Sequence, residues 1–147
     1  MAFALFLFYL MFLAYMLFLS PAFGRNAAVV REYNLIPLKT IKNYIQYREY
    51  VNSQTLFINI FGNILAFVPM GFFIPIIFRN KRHLMEVFFF SSIISLGVEF
   101  LQYRFVVGSF DVDDILLNTA GGILGYILFL MIYRSYRKIR NKNRSKK

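Results

Sequence analysis

Three pairs of polar residues lie near the ends of long apolar runs, and their side chains are of types that can do chemistry. The pairs are Asn59 with Asn63, Glu99 with Gln102, and Asp114 with Asn118. Carboxylates can transfer protons, hold a divalent cation or accept hydrogen bonds from a ligand. Such side chains are costly near hydrocarbon, so they are usually present for helix packing or for function. If the chain crosses a membrane repeatedly, all three pairs fall at one depth on one side.

The composition indicates a membrane protein. Of the 147 residues, 59% are hydrophobic and 20% aromatic, whereas a soluble domain has about 45–50% apolar residues. The length suits one domain. The absence of Cys excludes a disulfide framework, a thiolate metal site and a cysteine nucleophile. The single histidine, His83, excludes a multi-histidine metal site.

Four apolar runs predict an all-α integral membrane protein with four transmembrane helices. The runs are Phe3–Leu19, Thr55–Phe78, Leu84 to about Val107, and Ile115–Tyr133. A signal peptide is the alternative for the first run, but no Lys or Arg precedes it and it is too long for an h-region, so we expect a retained helix. Pro69 and Pro75 predict a kink or a break in the second helix.

The segment between the first two runs has an amphipathic pattern. One face carries Leu38, Ile41, Tyr44, Ile45 and Val51, and the opposite face carries Lys39, Lys42, Asn43, Gln46 and Glu49. Pro37 lies where a helix could begin. The pattern predicts an amphipathic helix on the membrane surface. A solvated loop helix is the alternative.

The basic residues favour one topology. With four spans, eleven of the seventeen Lys and Arg lie on the side of the two termini, which predicts that both termini are cytoplasmic. We therefore divide the chain into a four-helix membrane domain, 1–133, and a basic cytoplasmic tail, 134–147. The net charge of +10 reflects topology and contact with membrane lipids, and we expect no nucleic-acid partner.

In this topology the polar pairs form one layer in the outer leaflet. Glu99 needs a partner such as Arg104 or Arg31, or a raised pKa, to lie there. The full candidate polar site is Arg31, Asn34, Asn59, Asn63, Glu99, Gln102, Arg104, Asp111, Asp114 and Asn118. The alternative is that these residues form only interhelical hydrogen bonds, which average about 0.6 kcal/mol in a membrane protein.

The short acidic turn, Gly108–Asp114, allows several roles for its carboxylates. Asp113 or Asp114 would suit a cap on a helix that begins at Ile115. Clustered carboxylates could also hold Mg²⁺ or Ca²⁺, but no further spacing supports a metal, and we expect neither a metal nor another cofactor. Gly121 and Gly125 form a small-xxx-small pair, which predicts close helix packing within the chain or between two copies.

Several ordered motifs resemble the VanZ-like family of bacterial membrane proteins. They are Arg31-x-x-Asn34-Leu35-Ile36-Pro37, Asn59-x-x-Gly62-Asn63-Ile64-Leu65-x-Phe67-x-Pro69-x-Gly71-Phe72, Ser95-x-x-x-Glu99-x-x-Gln102, and Asp111-x-Asp113-Asp114-x-x-x-Asn118-Thr119-x-Gly121. The resemblance covers about residues 10 to 130. A basic residue often precedes the acidic turn in this family, and Ser109 occupies that place here.

The resemblance implies a small cell-envelope membrane protein, and one member of the family is associated with low-level teicoplanin resistance. We therefore expect a protein that lowers access of a lipoglycopeptide to its target by binding a lipid-linked cell-wall precursor or a lipidated ligand. In that interpretation Glu99 and Asp114 supply polar contacts. The alternatives are an intramembrane enzyme, in which those two carboxylates act as acid and base or hold a metal, and a small transporter. A Glu99→Gln change would separate binding from acid–base chemistry.

Overall fold

A computed structural model describes residues 1–20, 33–47, 49, 57–78 and 83–144 of the chain. Within these residues the chain forms five α-helices and two very short strands. They are α1 (Ala2–Phe18), β1 (Tyr33–Asn34), α2 (Lys39–Gln46), α3 (Asn63–Ile77), α4 (Leu84–Phe105), β2 (Phe110–Asp111) and α5 (Val112–Arg144). A π-helical turn, Ile58–Gly62, leads directly into α3.

Among the described residues, three helical segments are long and apolar enough to cross a membrane. They are Ile58–Ile77, Leu84–Phe105 and Val112–Asn143, and α1 is a shorter apolar helix of 17 residues. Large apolar side chains cover the outside of the bundle, among them Phe8 on α1, Leu65 on α3, Ile93 on α4 and Met131 on α5. Helices that are apolar on all sides suit a membrane, so the expected all-α membrane fold is confirmed.

The centre of the bundle is the contact between α3 and α5. A Cβ atom at Gly121 would collide with the backbone carbonyl of Ile64, and one at Gly125 would collide with that of Val68. Close approach of this kind lets van der Waals contact stabilise a helix pair in lipid. The two glycines therefore pack within the chain, which was one of the two alternatives that the sequence left open.

The helix α3 is not broken at its two prolines. It runs without interruption through Pro69 and Pro75, so of the two predicted alternatives the break is absent, and the kink stays a prediction. In membrane helices, neighbouring helices and small local adjustments satisfy the backbone groups that proline frees. The irregular backbone lies instead before the helix, in the π-helical turn Ile58–Gly62.

The helix α5 is much longer than the apolar run that predicted it. It begins at Val112 rather than Ile115 and continues to Arg144 rather than ending at Tyr133. Arg and Lys are good helix formers, and the guanidinium of Arg137 lies 5.9 Å from the centre of the Tyr133 ring. The basic tail therefore begins as a direct extension of the last helix, and the division at 133/134 stays a prediction.

One end of the bundle, which we call the polar end, carries the described parts of the connection between α1 and α3 and of the connection between α4 and α5. Strands β1 and β2 pair in parallel there, with Tyr33 opposite Phe110 and Asn34 opposite Asp111. Helix α1 ends, α3 begins, α4 ends and α5 begins at this end. The predicted helix between the first two runs exists as α2, but it spans only Lys39–Gln46.

Candidate polar site

Asp113 holds α2 against the polar end. Its carboxylate accepts hydrogen bonds from the backbone N–H groups of Leu38, Thr40 (2.8 Å) and Ile41 (3.2 Å). These N–H groups lie at the start of α2, where no carbonyl within the helix can accept from them. The Asp113 side chain is fully buried. An acid from the first turn of α5 therefore caps a different helix, more than seventy residues earlier in the chain.

Asp111 caps α5 itself. Its Oδ1 accepts from the backbone N–H of Asp113 at 2.8 Å, the bond typical of a residue just before a helix. Its carboxylate also accepts from the Asn34 amide at 3.0 Å and the Thr40 hydroxyl at 2.6 Å. The sequence-based assignment of the cap to Asp113 or Asp114 is wrong, because α5 begins three residues before Ile115.

Glu99 is buried beside the acidic turn. It is 2% exposed, and its Oε2 accepts from the backbone N–H of Asp111 at 3.0 Å. Arg104 is exposed and forms no ion pair with a carboxylate among the described residues, so of the alternatives that the sequence left open for Glu99, the Arg104 partner is not the one observed. Five residues along a helix correspond to a rotation of about 140°, which turns Arg104 away from Glu99. Arg31 lies outside the described residues.

Asn59 and Asn63 contact different elements. The Asn63 amide donates to Asp114 on α5 at 2.6 Å, whereas the Asn59 amide donates to the Tyr44 hydroxyl on α2 at 2.9 Å. The two asparagines are four residues apart, and Asn59 lies in the π-helical turn Ile58–Gly62 whereas Asn63 is the first residue of α3. Together they connect the start of the α3 segment to both α2 and α5.

Tyr44 lies at the edge of this arrangement. Partial burial raises the pKa of its hydroxyl, and the negative charges of Asp114 and Asp111 raise that pKa further, against the hydrogen bond from Asn59, which lowers it. The hydroxyl therefore stays protonated and keeps a hydrogen that it can donate. It is half-buried at the rim of the polar end, within reach of both water and the carboxylates.

Asn118 and Gln102 extend the polar contacts into the bundle. The Asn118 amide donates to the Ser95 hydroxyl at 2.8 Å, and its carbonyl oxygen is buried without a hydrogen-bond partner among the described residues. The Gln102 amide donates to the backbone carbonyl of Leu17 at 2.8 Å. Because the last carbonyls of a helix lack partners within it, this hydrogen bond from Gln102 caps the C-terminal end of α1.

We call these side chains together the polar cluster. Eight of the ten predicted residues belong to it: Asn34, Asn59, Asn63, Glu99, Gln102, Asp111, Asp114 and Asn118. The structure adds Thr40, Tyr44, Ser95 and Asp113. Asp113 carries a sequence signal as an acid before a helix, and Ser95 stands in one of the family motifs. Tyr44 lies on the apolar face of the predicted amphipathic helix, and that pattern assigns no role to its hydroxyl.

The cluster is rich in hydrogen-bond acceptors. Glu99, Asp111, Asp113 and Asp114 supply four carboxyl groups, and Asn118 supplies a free amide oxygen within the described residues. No three acidic or histidine side chains in the described part of the chain converge as metal ligands would. Much of the polar cluster has a structural role, because Asp111 and Asp113 cap helices.

Comparisons with known proteins give the family. The family model described as VanZ/LLP1 matches residues 6–133. Protein VanZ of Enterococcus faecium is 30% identical over 99 residues, which cover 67% of this chain and 53% of that protein. The chain therefore spans about half the length of this relative. No solved structure matches the chain. With a family model matched over most of its length and an ordered set of shared motifs, the chain belongs to the VanZ/LLP1 family.

Proposed function

We propose that the chain spans the bacterial cytoplasmic membrane four times, with α1 as the fourth span and both termini in the cytoplasm. A helix of 17 residues is about 25 Å long, close to the roughly 30 Å of the hydrocarbon core. The α1 helix packs on α3, where the Tyr9 hydroxyl donates to the Ala66 carbonyl at 2.7 Å. The excess of Lys and Arg beside the termini supports this orientation. The polar cluster then faces the outer surface.

The function we propose is binding of a lipid-linked or lipidated ligand at the outer interface, which lowers susceptibility to teicoplanin-type lipoglycopeptides. The observation that carries this proposal is the polar cluster that closes one end of an otherwise apolar bundle. At its partly exposed edge, the Asp114 carboxylate and the Asn59 amide oxygen can accept hydrogen bonds from the N–H and O–H groups of a glycopeptide or a lipid-linked sugar. Membership of the family supports the resistance phenotype.

Within this proposal the cluster has an edge and an interior. Tyr44 and Asn59 are partly exposed at the edge, and Asp114 is partly exposed beside them. These three groups would contact the ligand. Asn63 fixes the Asp114 carboxylate, and buried Glu99 fixes the backbone of the acidic turn. Both would act as positioning residues.

The test is drug tolerance in a susceptible Gram-positive host. The protein should raise tolerance to teicoplanin more than to vancomycin, because a lipid tail keeps the first drug at the membrane interface. Asn59→Ala should abolish the effect at matched abundance, whereas Ile93→Ala, on the outside of α4, should not. Equal tolerance of wild type and Asn59→Ala would reduce the cluster to a packing feature.

A second variant separates binding from catalysis. Glu99→Gln keeps an oxygen that can accept the hydrogen bond from the Asp111 backbone, so a binding protein should retain tolerance. An intramembrane enzyme that used Glu99 as acid or base would lose it, because an amide does not transfer protons at neutral pH. Loss of tolerance with unchanged abundance would favour the enzyme.

A further inference from the structure

An apolar groove lies between α1 and α3, next to the polar cluster. Its volume is about 300 Å³, and it is partly open to the outside of the bundle. The helix α1 contributes Tyr9, Phe12, Leu13 and Met16, and the segment around the start of α3 contributes Gly62, Leu65, Ala66 and Pro69. Since its lining is almost wholly apolar, the groove suits hydrocarbon rather than water.

The groove runs along the helices from the polar end toward the middle of the bundle. Met16 and Gly62 lie at its polar end, and Tyr9 and Pro69 lie deeper. Seven residues separate the two levels on each helix, a depth of about 10 Å. One leaflet of the hydrocarbon core is about 15 Å thick, half of the roughly 30 Å core. The groove therefore covers the outer part of a single leaflet.

Small side chains and one fixed contact create this space. Gly62 and Ala66 leave room beside α1, and the hydrogen bond from the Tyr9 hydroxyl to the Ala66 carbonyl holds the two helices together at the deeper level. Gly62 ends the π-helical turn that also carries Asn59, and Asn63 follows it directly. The mouth of the groove is thus part of the same backbone segment that supplies two asparagines to the cluster.

We propose that the groove holds the fatty-acyl tail of the ligand whose polar part binds at the polar cluster. The inference rests on the proposed function: the polar cluster binds the polar part of the ligand, and the groove binds its apolar part. Three observations carry it: the lining is apolar, the groove is partly open to the outside of the bundle, and Gly62 at its mouth belongs to the same turn as Asn59 and directly precedes Asn63 in the chain. Its volume is at the small end of ligand pockets, about 300–1,000 Å³. It therefore accepts one chain segment, not a pair of acyl chains.

The experiment uses the full-length protein in nanodiscs and teicoplanin carrying a photoactivatable diazirine on its fatty-acyl tail. After irradiation, mass spectrometry should place the cross-links in residues 9–16 and 62–69. Ala66→Phe fills the groove and should lower this labelling at least tenfold. Ile93→Phe places the same phenyl ring on the exposed face of α4 and should leave the labelling unchanged.

A second variant keeps the proposal testable if Ala66→Phe does not fold. Leu65 is 60% exposed at the rim, so Leu65→Trp should cover the groove without crowding the bundle and should also lower labelling. Cross-links outside both segments, or equal labelling in wild type, Ala66→Phe and Leu65→Trp, would overturn the proposal. So would labelling of the groove by a diazirine phosphatidylglycerol that excess teicoplanin does not displace, since that result assigns the groove to bulk lipid.

The outcomes separate this inference from the proposed function. If Asn59→Ala abolishes tolerance but Ala66→Phe labels as strongly as wild type, the cluster binds the ligand and the groove assignment is wrong. If labelling is specific to the groove but the host gains no tolerance, the groove assignment stands and the resistance function is wrong.

Discussion

Replacing Asp113 by Ala should release α2 from the bundle. The carboxylate is fully buried and accepts from three backbone N–H groups at the start of α2. Loss of a helix cap costs about 0.5–2 kcal/mol, and a hydrogen bond to a charged group contributes about 1.5–3 kcal/mol. Water can solvate the freed N–H groups at this end, so the free energy lost is smaller than the sum for three hydrogen bonds.

We therefore expect the docking of α2 to weaken by about 2–4 kcal/mol, which is a rise of about 30- to 1,000-fold in its open population at 1.4 kcal/mol per factor of ten. Leu38 adds to the effect. It adopts a left-handed conformation with φ 63°, which costs a non-glycine residue about 1–2 kcal/mol. The hydrogen bond from its N–H to Asp113 holds it there, so removal of the carboxylate lets it relax.

Hydrogen–deuterium exchange of the protein in nanodiscs measures this opening directly. A peptide covering residues 38–46 should exchange far faster in Asp113→Ala, while peptides from the middle of α4 should not change. Asp113→Asn keeps one acceptor oxygen and should give an intermediate rate. Ser109→Ala, an exposed change in the same turn, is the control. Unchanged exchange of residues 38–46 in Asp113→Ala would refute the capping role.

Three further predictions concern packing, topology and the tail. Gly125→Ala should lower the temperature at which the purified protein loses its monodisperse elution peak, because the added Cβ would collide with the Val68 backbone. Gly97→Ala is the control and should have little effect or stabilise the protein, because the space around Gly97 is open. Similar losses of thermal stability in both variants would contradict the close packing of α3 and α5. A cysteine introduced at Ser109 in this Cys-free chain should react with an impermeant maleimide in intact cells, and one at Asn143 only after lysis; the reverse pattern would invert the topology. Deletion of residues 141–147 should leave insertion and orientation intact, because this segment has no apolar residue to bury; loss of the protein from the membrane fraction would show that the tail is needed for insertion.

The sequence predicted the helices well because uninterrupted apolar length is a local property. It predicted the burial of Asn63, Glu99 and Asn118 for the same reason, since a polar residue within such a run seeks the interior of a bundle.

The partners could not be predicted, because they depend on non-local geometry. Asp113 caps a helix more than seventy residues away, and Gln102 meets the backbone carbonyl of Leu17, which no side-chain pattern reveals. The π-helical turn that separates Asn59 from Asn63 also has no residue signature in the sequence. The use of these residues in binding stays a prediction.

The pairing of β1 with β2 has a consequence for the order of biogenesis. Tyr33 and Asn34 leave the ribosome long before Phe110 and Asp111, the residues they pair with. Until α5 is inserted, α2 has no cap and Asn34 has no carboxylate to donate to. A nascent or truncated chain that lacks the last helix therefore cannot assemble the cluster, however well its earlier helices insert. Maturation of the site is a late event, which couples its completion to synthesis of the whole membrane domain.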